Sequence, residues 1–137
     1  PAKSVALMAR RTTPATVFAA LHEPFKGGPA GHKVARFERL AQTDQGLAVA
    51  VVGKDGAGID DRVLLRYGDD CDKPLTLSGS GESFTFSDYG YVRIAGAQVV
   101  AEGNITAMKL RVSGAPKLVL NGKETSAAVS GGFLELR

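Results

Sequence analysis

Apolar and polar residues alternate along most of this chain, in short runs rather than long ones. Met108, Leu110 and Val112 interleave with Lys109, Arg111 and Ser113, the period of two expected of a strand wet on one face. Read this way, the pattern predicts strands at 5–8, 16–22, 47–52, 63–67, 75–77, 83–87, 91–94, 98–101, 105–112, 117–120 and 133–136. In the second of these, Val17, Ala19 and Leu21 share one face, and Phe18, Ala20 and His22 the other. The run 47–52 is apolar at every position, which suits a central strand covered on both sides. Segment 33–41 is ambiguous, because Val34, Phe37, Leu40 and Ala41 fall at helical spacing. Turn signals at 22–31 and 43–46 leave it hairpin-sized, so it is assigned as a strand.

The connections carry turn chemistry. Asn121-Gly122 favours positive φ at both central positions of a type I′ hairpin. Gly96, Gly103, Gly114 and Gly131-Gly132 punctuate other strands. Gly79-Ser80-Gly81-Glu82 lacks the spacing of a nucleophile elbow and the lysine of a phosphate loop, so it reads as a turn. About ten short strands at this spacing argue for an all-β fold, an antiparallel two-sheet β-sandwich. With no repeat and no linker-like stretch, residues 1–137 read as one domain. The loop 53–61 has the most flexible composition.

Composition narrows the function classes. The 137 residues are 44% hydrophobic and 23% charged, enough to build a core and unlike a disordered chain. A net charge of +3 is mild, and outside Arg10-Arg11 the basic residues are scattered. Without a Lys/Arg block or an RNA-binding aromatic motif, no nucleic-acid partner is expected. No segment approaches the roughly 18 apolar residues of a membrane helix, so no membrane partner is expected either. Cys71 is the sole cysteine, which excludes an internal disulfide. Without a histidine-containing motif around it, it reads as a small hydrophobe rather than a nucleophile. The chain opens on Pro1 and shows no signal-peptide pattern, so a processed chain or an excised domain is expected.

Three constellations could carry chemistry, and each has a plainer reading. His22-Glu23 could set a base beside a carboxylate at a cleft edge; alternatively Glu23 caps the turn at Pro24 while His22 packs by Phe18. His22 and His32 are the only histidines, so a zinc site would need carboxylates as well, and no metal or other cofactor is expected. Asp60, Asp61, Asp69, Asp70 and Asp72 could cage calcium, but EF-hand spacing is missing and a solvated acidic turn explains them as well. Tyr89, Tyr91 and Arg93 share one face and could form a sugar-contacting strip, rings against sugar faces and arginine against a uronate carboxylate. The tyrosines could equally half-bury at a strand edge, and the lack of tryptophan weakens the case for a dedicated sugar platform. Asn104-Ile105-Thr106 fits a glycosylation sequon, relevant only in a eukaryotic secreted protein.

The segment Val17-Phe18-Ala19-Ala20-Leu21-His22-Glu23-Pro24-Phe25-Lys26-Gly27 resembles one in heparinase II/III-like polysaccharide lyases. There an apolar strand of the C-terminal β-sheet domain ends in a Glu-Pro-aromatic-Lys/Arg-Gly turn. The likeness extends through 34–40, the apolar run 47–52 and Asp60-Asp61-Arg62-Val63-Leu64-Leu65, covering about residues 16–67. Tyr89–Ile94 and Leu118–Lys123 are compatible but generic. Such lyases join a helical toroid to β-sandwich domains and eliminate across uronic acids by removing the C5 proton. This chain has no toroid, so the family's catalytic residues have no matching positions in it. The resemblance implies a non-catalytic β-sandwich domain that stabilises its enzyme and helps line a cleft for acidic polysaccharide. Its partners would be that polysaccharide and a missing helical catalytic domain, and its location periplasmic or extracellular. The candidate substrate-binding residues are His22, Glu23, Tyr89, Tyr91 and Arg93. An independent carbohydrate-binding module and a purely structural sandwich are the competing readings.

Overall fold

A computed structural model describes residues 19–21, 23 and 28–137. After a 3₁₀ turn at Gly28–Gly31, ten strands follow: β1 (Val34–Gln42), β2 (Gly46–Gly53), β3 (Asp60–Arg66), β4 (Leu75–Gly79), β5 (Glu82–Ala95), β6 (Gln98–Arg111), β7 (Lys117–Leu120), β8 (Lys123–Thr125), β9 (Ala128–Ser130) and β10 (Phe133–Leu136). The all-β expectation holds. The ambiguous segment 33–41 is a strand, paired antiparallel with β2. The apolar run in β2 is buried on both faces, as its composition predicts. The expected strand 5–8 lies outside the described residues, as does most of 16–22, whose described residues 19–21 carry no strand.

In place of two separate sheets, one hydrogen-bonded network joins all ten strands, in the order β1-β2-β3-β5-β6-β10-β9 with β4, β7 and β8 alongside. Every pairing is antiparallel except β6 with β7. The organising unit is the long hairpin of β5 and β6, each 14 residues. The expected strands 83–87 and 91–94 fuse into β5, and 98–101 and 105–112 into β6. The ladder between them slips between Phe86 and Gly90, where β5 carries extra residues opposite β6. A slip of this kind bends the strand and strengthens its twist.

Below that corner β5 pairs with β4 and β6 with β10; above it β5 pairs with β3 and β6 with β7. The two halves fold over each other. Arg62 on β3 stands opposite Val92, yet its guanidinium meets Glu82 at the other end of β5. Ten residues of straight strand would separate those positions by roughly 33 Å, far beyond an arginine's reach. Across the fold, Ala48, Leu64, Val92, Val99, Ala101 and Leu118 meet Leu77, Phe84, Phe86, Met108, Leu110 and Leu134 in one buried cluster. The fold is sandwich-like, made by one sheet turning a corner. It closes at Gly79, where a β-carbon would lie 1.8 Å from the Leu40 carbonyl oxygen, so only glycine lets β4 come this near β1.

The turns follow the glycine chemistry. Asn121 and Gly122 have φ of 49° and 78° and join β7 to β8, as a type I′ turn requires. Ser80-Gly81 and Gly131-Gly132 repeat the positive pair in the β4–β5 and β9–β10 turns. Gly103 is a correction: it lies inside β6 instead of ending a strand.

Candidate functional site

The upper half of β5 sets Tyr89, Tyr91 and Arg93 on one face, opposite Leu65, Val63 and Asp61 of β3. Val92, between them, turns into the core. The two-residue repeat thus brings together the three residues that the sequence placed on one face. Register adds what the sequence did not reveal, a buried carboxylate beside the arginine. Arg93 donates from Nε and Nη2 to the two oxygens of Asp61, each at 2.8 Å. This fork-on-carboxylate geometry is the strong form of an ion pair. The hydrogen bonds to Asp61 raise the Arg93 pKa further, so the guanidinium stays charged.

That pairing changes what the strip can do. A uronate approaching Arg93 meets a cation already neutralised by a carboxylate that is itself only 8% exposed. The guanidinium also lies 5.7 Å from the centre of the Tyr91 ring. Burial, then the hydrogen bond and charge of Asp61, push the Tyr91 phenol's pKa up, so it stays protonated. Tyr89 is the open end, 48% exposed beside Leu65 at 45%. The strip presents ring and aliphatic surface, with its charge folded inward.

Glu23 does not reach this strip by any described contact. Its carboxylate accepts hydrogen bonds from the N–H groups of Lys33 and Val34, at the entry to β1. The Lys33 N–H is the main reason that its pKa lies below the usual glutamate value. A carboxylate so held is a structural cap and a weakened base. It caps the start of β1; the turn at Pro24 lies outside the described residues. His22, Pro24 and Phe18 lie outside the described residues. His32 sits with Nδ1 at 3.1 Å from the Val34 carbonyl oxygen and Nε2 at 3.1 Å from Lys54 Nζ.

The aspartates disperse. Asp60 pairs with Arg62 on the core side of β3, Asp61 with Arg93 on the other side, and Asp70 with Lys73 in the loop. Among the described residues no three acidic, histidine or cysteine side chains gather as a metal would need. Cys71 is half-buried and donates to the Gly68 carbonyl. Desolvation first, then Asp88, push its thiol pKa up, away from the thiolate that nucleophilic chemistry needs.

One surface escaped the sequence reading. Lys109 and Arg111 were legible only as the wet side of an alternating strand. The fold brings Phe133, Glu135 and Ser83 beside them. Comparison with known proteins finds no matching family model, no matching curated protein and no matching solved structure.

Proposed function

We propose that this chain is a non-catalytic β-sandwich-like domain of a heparinase II/III-like polysaccharide lyase. In this reading it stabilises the enzyme and lends the Tyr89–Tyr91 strip to the wall of a cleft for acidic polysaccharide. The residue resemblance over about 16–67 supplies the family. The observation that supports this reading is that two of the candidate charged groups are already engaged within the fold. Glu23 is spent on the backbone of β1 and Arg93 on Asp61. What remains open is an aromatic and aliphatic contact surface centred on Tyr89 and Leu65. Tyrosine rings of this kind suit the apolar faces of sugar rings.

The test incubates the chain with alginate, heparin and hyaluronan while absorbance of the unsaturated product is followed. No product is expected from the chain alone. An amide-resonance titration with an alginate hexasaccharide is expected to move the signals of residues 89–93. Tyr89→Ala should weaken that response about fivefold, the loss of one ring contact worth roughly 1 kcal/mol. Elimination by the chain alone, or a hexasaccharide that leaves 89–93 unmoved, would overturn the reading.

A further inference from the structure

The outer face of the lower half has a character opposite to that of the tyrosine strip. Register aligns Ser78, Ser83, Lys109 and Glu135 across β4, β5, β6 and β10, with Thr76 and Thr85 in the next row. Arg111 stands opposite Phe133 in the row on the other side. Lys109 and Arg111 are two residues apart on one strand, about 7 Å. Lys109 and Arg137 border a shallow depression of about 220 Å³ that Ser83, Thr85 and Glu135 also line.

The charges on this face do not cancel. Glu135 is the single carboxylate among them, 3.9 Å from Lys109 and 3.2 Å from Arg137. Among the described residues no carboxylate pairs with the Arg111 guanidinium, which lies over the Phe133 ring at 5.1 Å. Among the described side chains, three cations against one anion, fringed by four hydroxyls, complement a polymer that carries both carboxylates and hydroxyl groups.

We infer that this face is a second, charge-driven binding site for acidic polysaccharide, with Lys109 and Arg111 as its principal contacts. The inference rests on the proposed function for the class of polymer, but on separate residues for the site. A nucleic acid fits the face less well. Its bases would need an open ring to stack on, and Phe133 is already covered by Lys109, at 4.7 Å, and by Arg111. The Ser78 and Ser83 hydroxyls, beside Lys109 in its row, give a sugar chain hydrogen-bonding partners, while those of Thr76 and Thr85 bond to each other at 2.9 Å.

The experiment titrates the full chain with an alginate hexasaccharide, a neutral cellohexaose and a single-stranded oligonucleotide, reading amide resonances and affinity at low and high salt. Alginate is expected to shift residues 83–85, 109–111 and 133–135, with affinity falling as salt rises. Cellohexaose should leave them still. Lys109→Glu/Arg111→Glu should cost about tenfold or more in alginate affinity at low salt. The milder Lys109→Gln/Arg111→Gln pair, with an unchanged melting temperature, guards against a folding defect and should lose part of the same affinity. If alginate shifts only 89–93 and Tyr89→Ala alone weakens it, this second site is refuted while the proposed function stands. If the folded chain binds no uronate at either face, both fail. Equal or tighter oligonucleotide binding at Lys109 and Arg111 also refutes the assignment.

Discussion

Glu23 shows how one side chain can serve as an acceptor for the backbone at the start of a strand. The N–H groups of Lys33 and Val34 enter β1 at its first residue, and the Glu23 carboxylate accepts from both. Because the ionised form makes these bonds, its pKa lies lower in the folded chain than in the unfolded one. The unfolded state therefore takes up the proton more readily. The stabilisation is complete above the unfolded value of about 4.3 and is lost as pH falls through the depressed folded value. Thermal melts between pH 6 and pH 3 should show a steeper acid loss for the native chain than for Glu23→Gln, which keeps an acceptor oxygen without the titration. Parallel curves would mean that the cap is not coupled to folding.

The corner of the β5–β6 hairpin is held by an asparagine acting as a length of strand. Asn121, in the β7–β8 turn, accepts from the Gly103 N–H at 2.9 Å and donates its amide to the Gly103 carbonyl at 3.0 Å. Gly103 itself has φ of +100°, and a β-carbon there would lie 2.4 Å from the Tyr89 carbonyl oxygen. Asn121→Gly keeps the positive φ of the turn but removes both side-chain bonds, and should cost about 1–2 kcal/mol. Gly103→Ala should cost more, since strain and a backbone clash add. The pair should be non-additive in denaturant unfolding, because alanine at 103 already displaces the backbone that Asn121 bonds. Strict additivity would remove the asparagine from the corner.

This element also marks the boundary of what the sequence could tell. Strands with alternating residues were legible, and so were the Asn121-Gly122, Ser80-Gly81 and Gly131-Gly132 turns, because both signals are local. The fusion of two expected strands into β5 was not, since the slip after Phe86 leaves the alternation on either side intact. The strands β8 and β9 have three residues each, too short for a period to register. At the candidate site, the shared face of Tyr89, Tyr91 and Arg93 followed from spacing alone. Asp61 as the partner of Arg93 depended on the β3–β5 register, and the Lys109–Arg111 face on the arrival of β10. Neither has a local signature.

Over the whole molecule, the fold of one half onto the other is fastened by a buried ion cluster. Arg62 donates from Nε and Nη2 to both oxygens of Glu82, at 2.8 and 3.0 Å, and from Nη1 to Asp60 at 2.6 Å. Desolvation opposes the guanidinium's charge, but its hydrogen bonds to Glu82 and Asp60, and their charges, outweigh it and its pKa rises. Glu82 also accepts from the backbone N–H of Arg111, so the cluster reaches from β3 through β5 to β6. Both principal side chains are nearly sealed from water, at 9% and 4% exposure. Truncating one leaves the other as a buried, uncompensated charge, and Arg62→Ala should cost about 3–5 kcal/mol in denaturant unfolding. Replacing both, as Arg62→Met with Glu82→Leu, should recover most of that loss, because hydrophobic residues of similar volume need no solvation. The Arg111 N–H loses its acceptor in that double variant, so recovery should stop short of full by about 1 kcal/mol. If the double variant is as unstable as Arg62→Ala, the cluster does more than join two buried charges, and the closure of the sheet depends on its polar geometry.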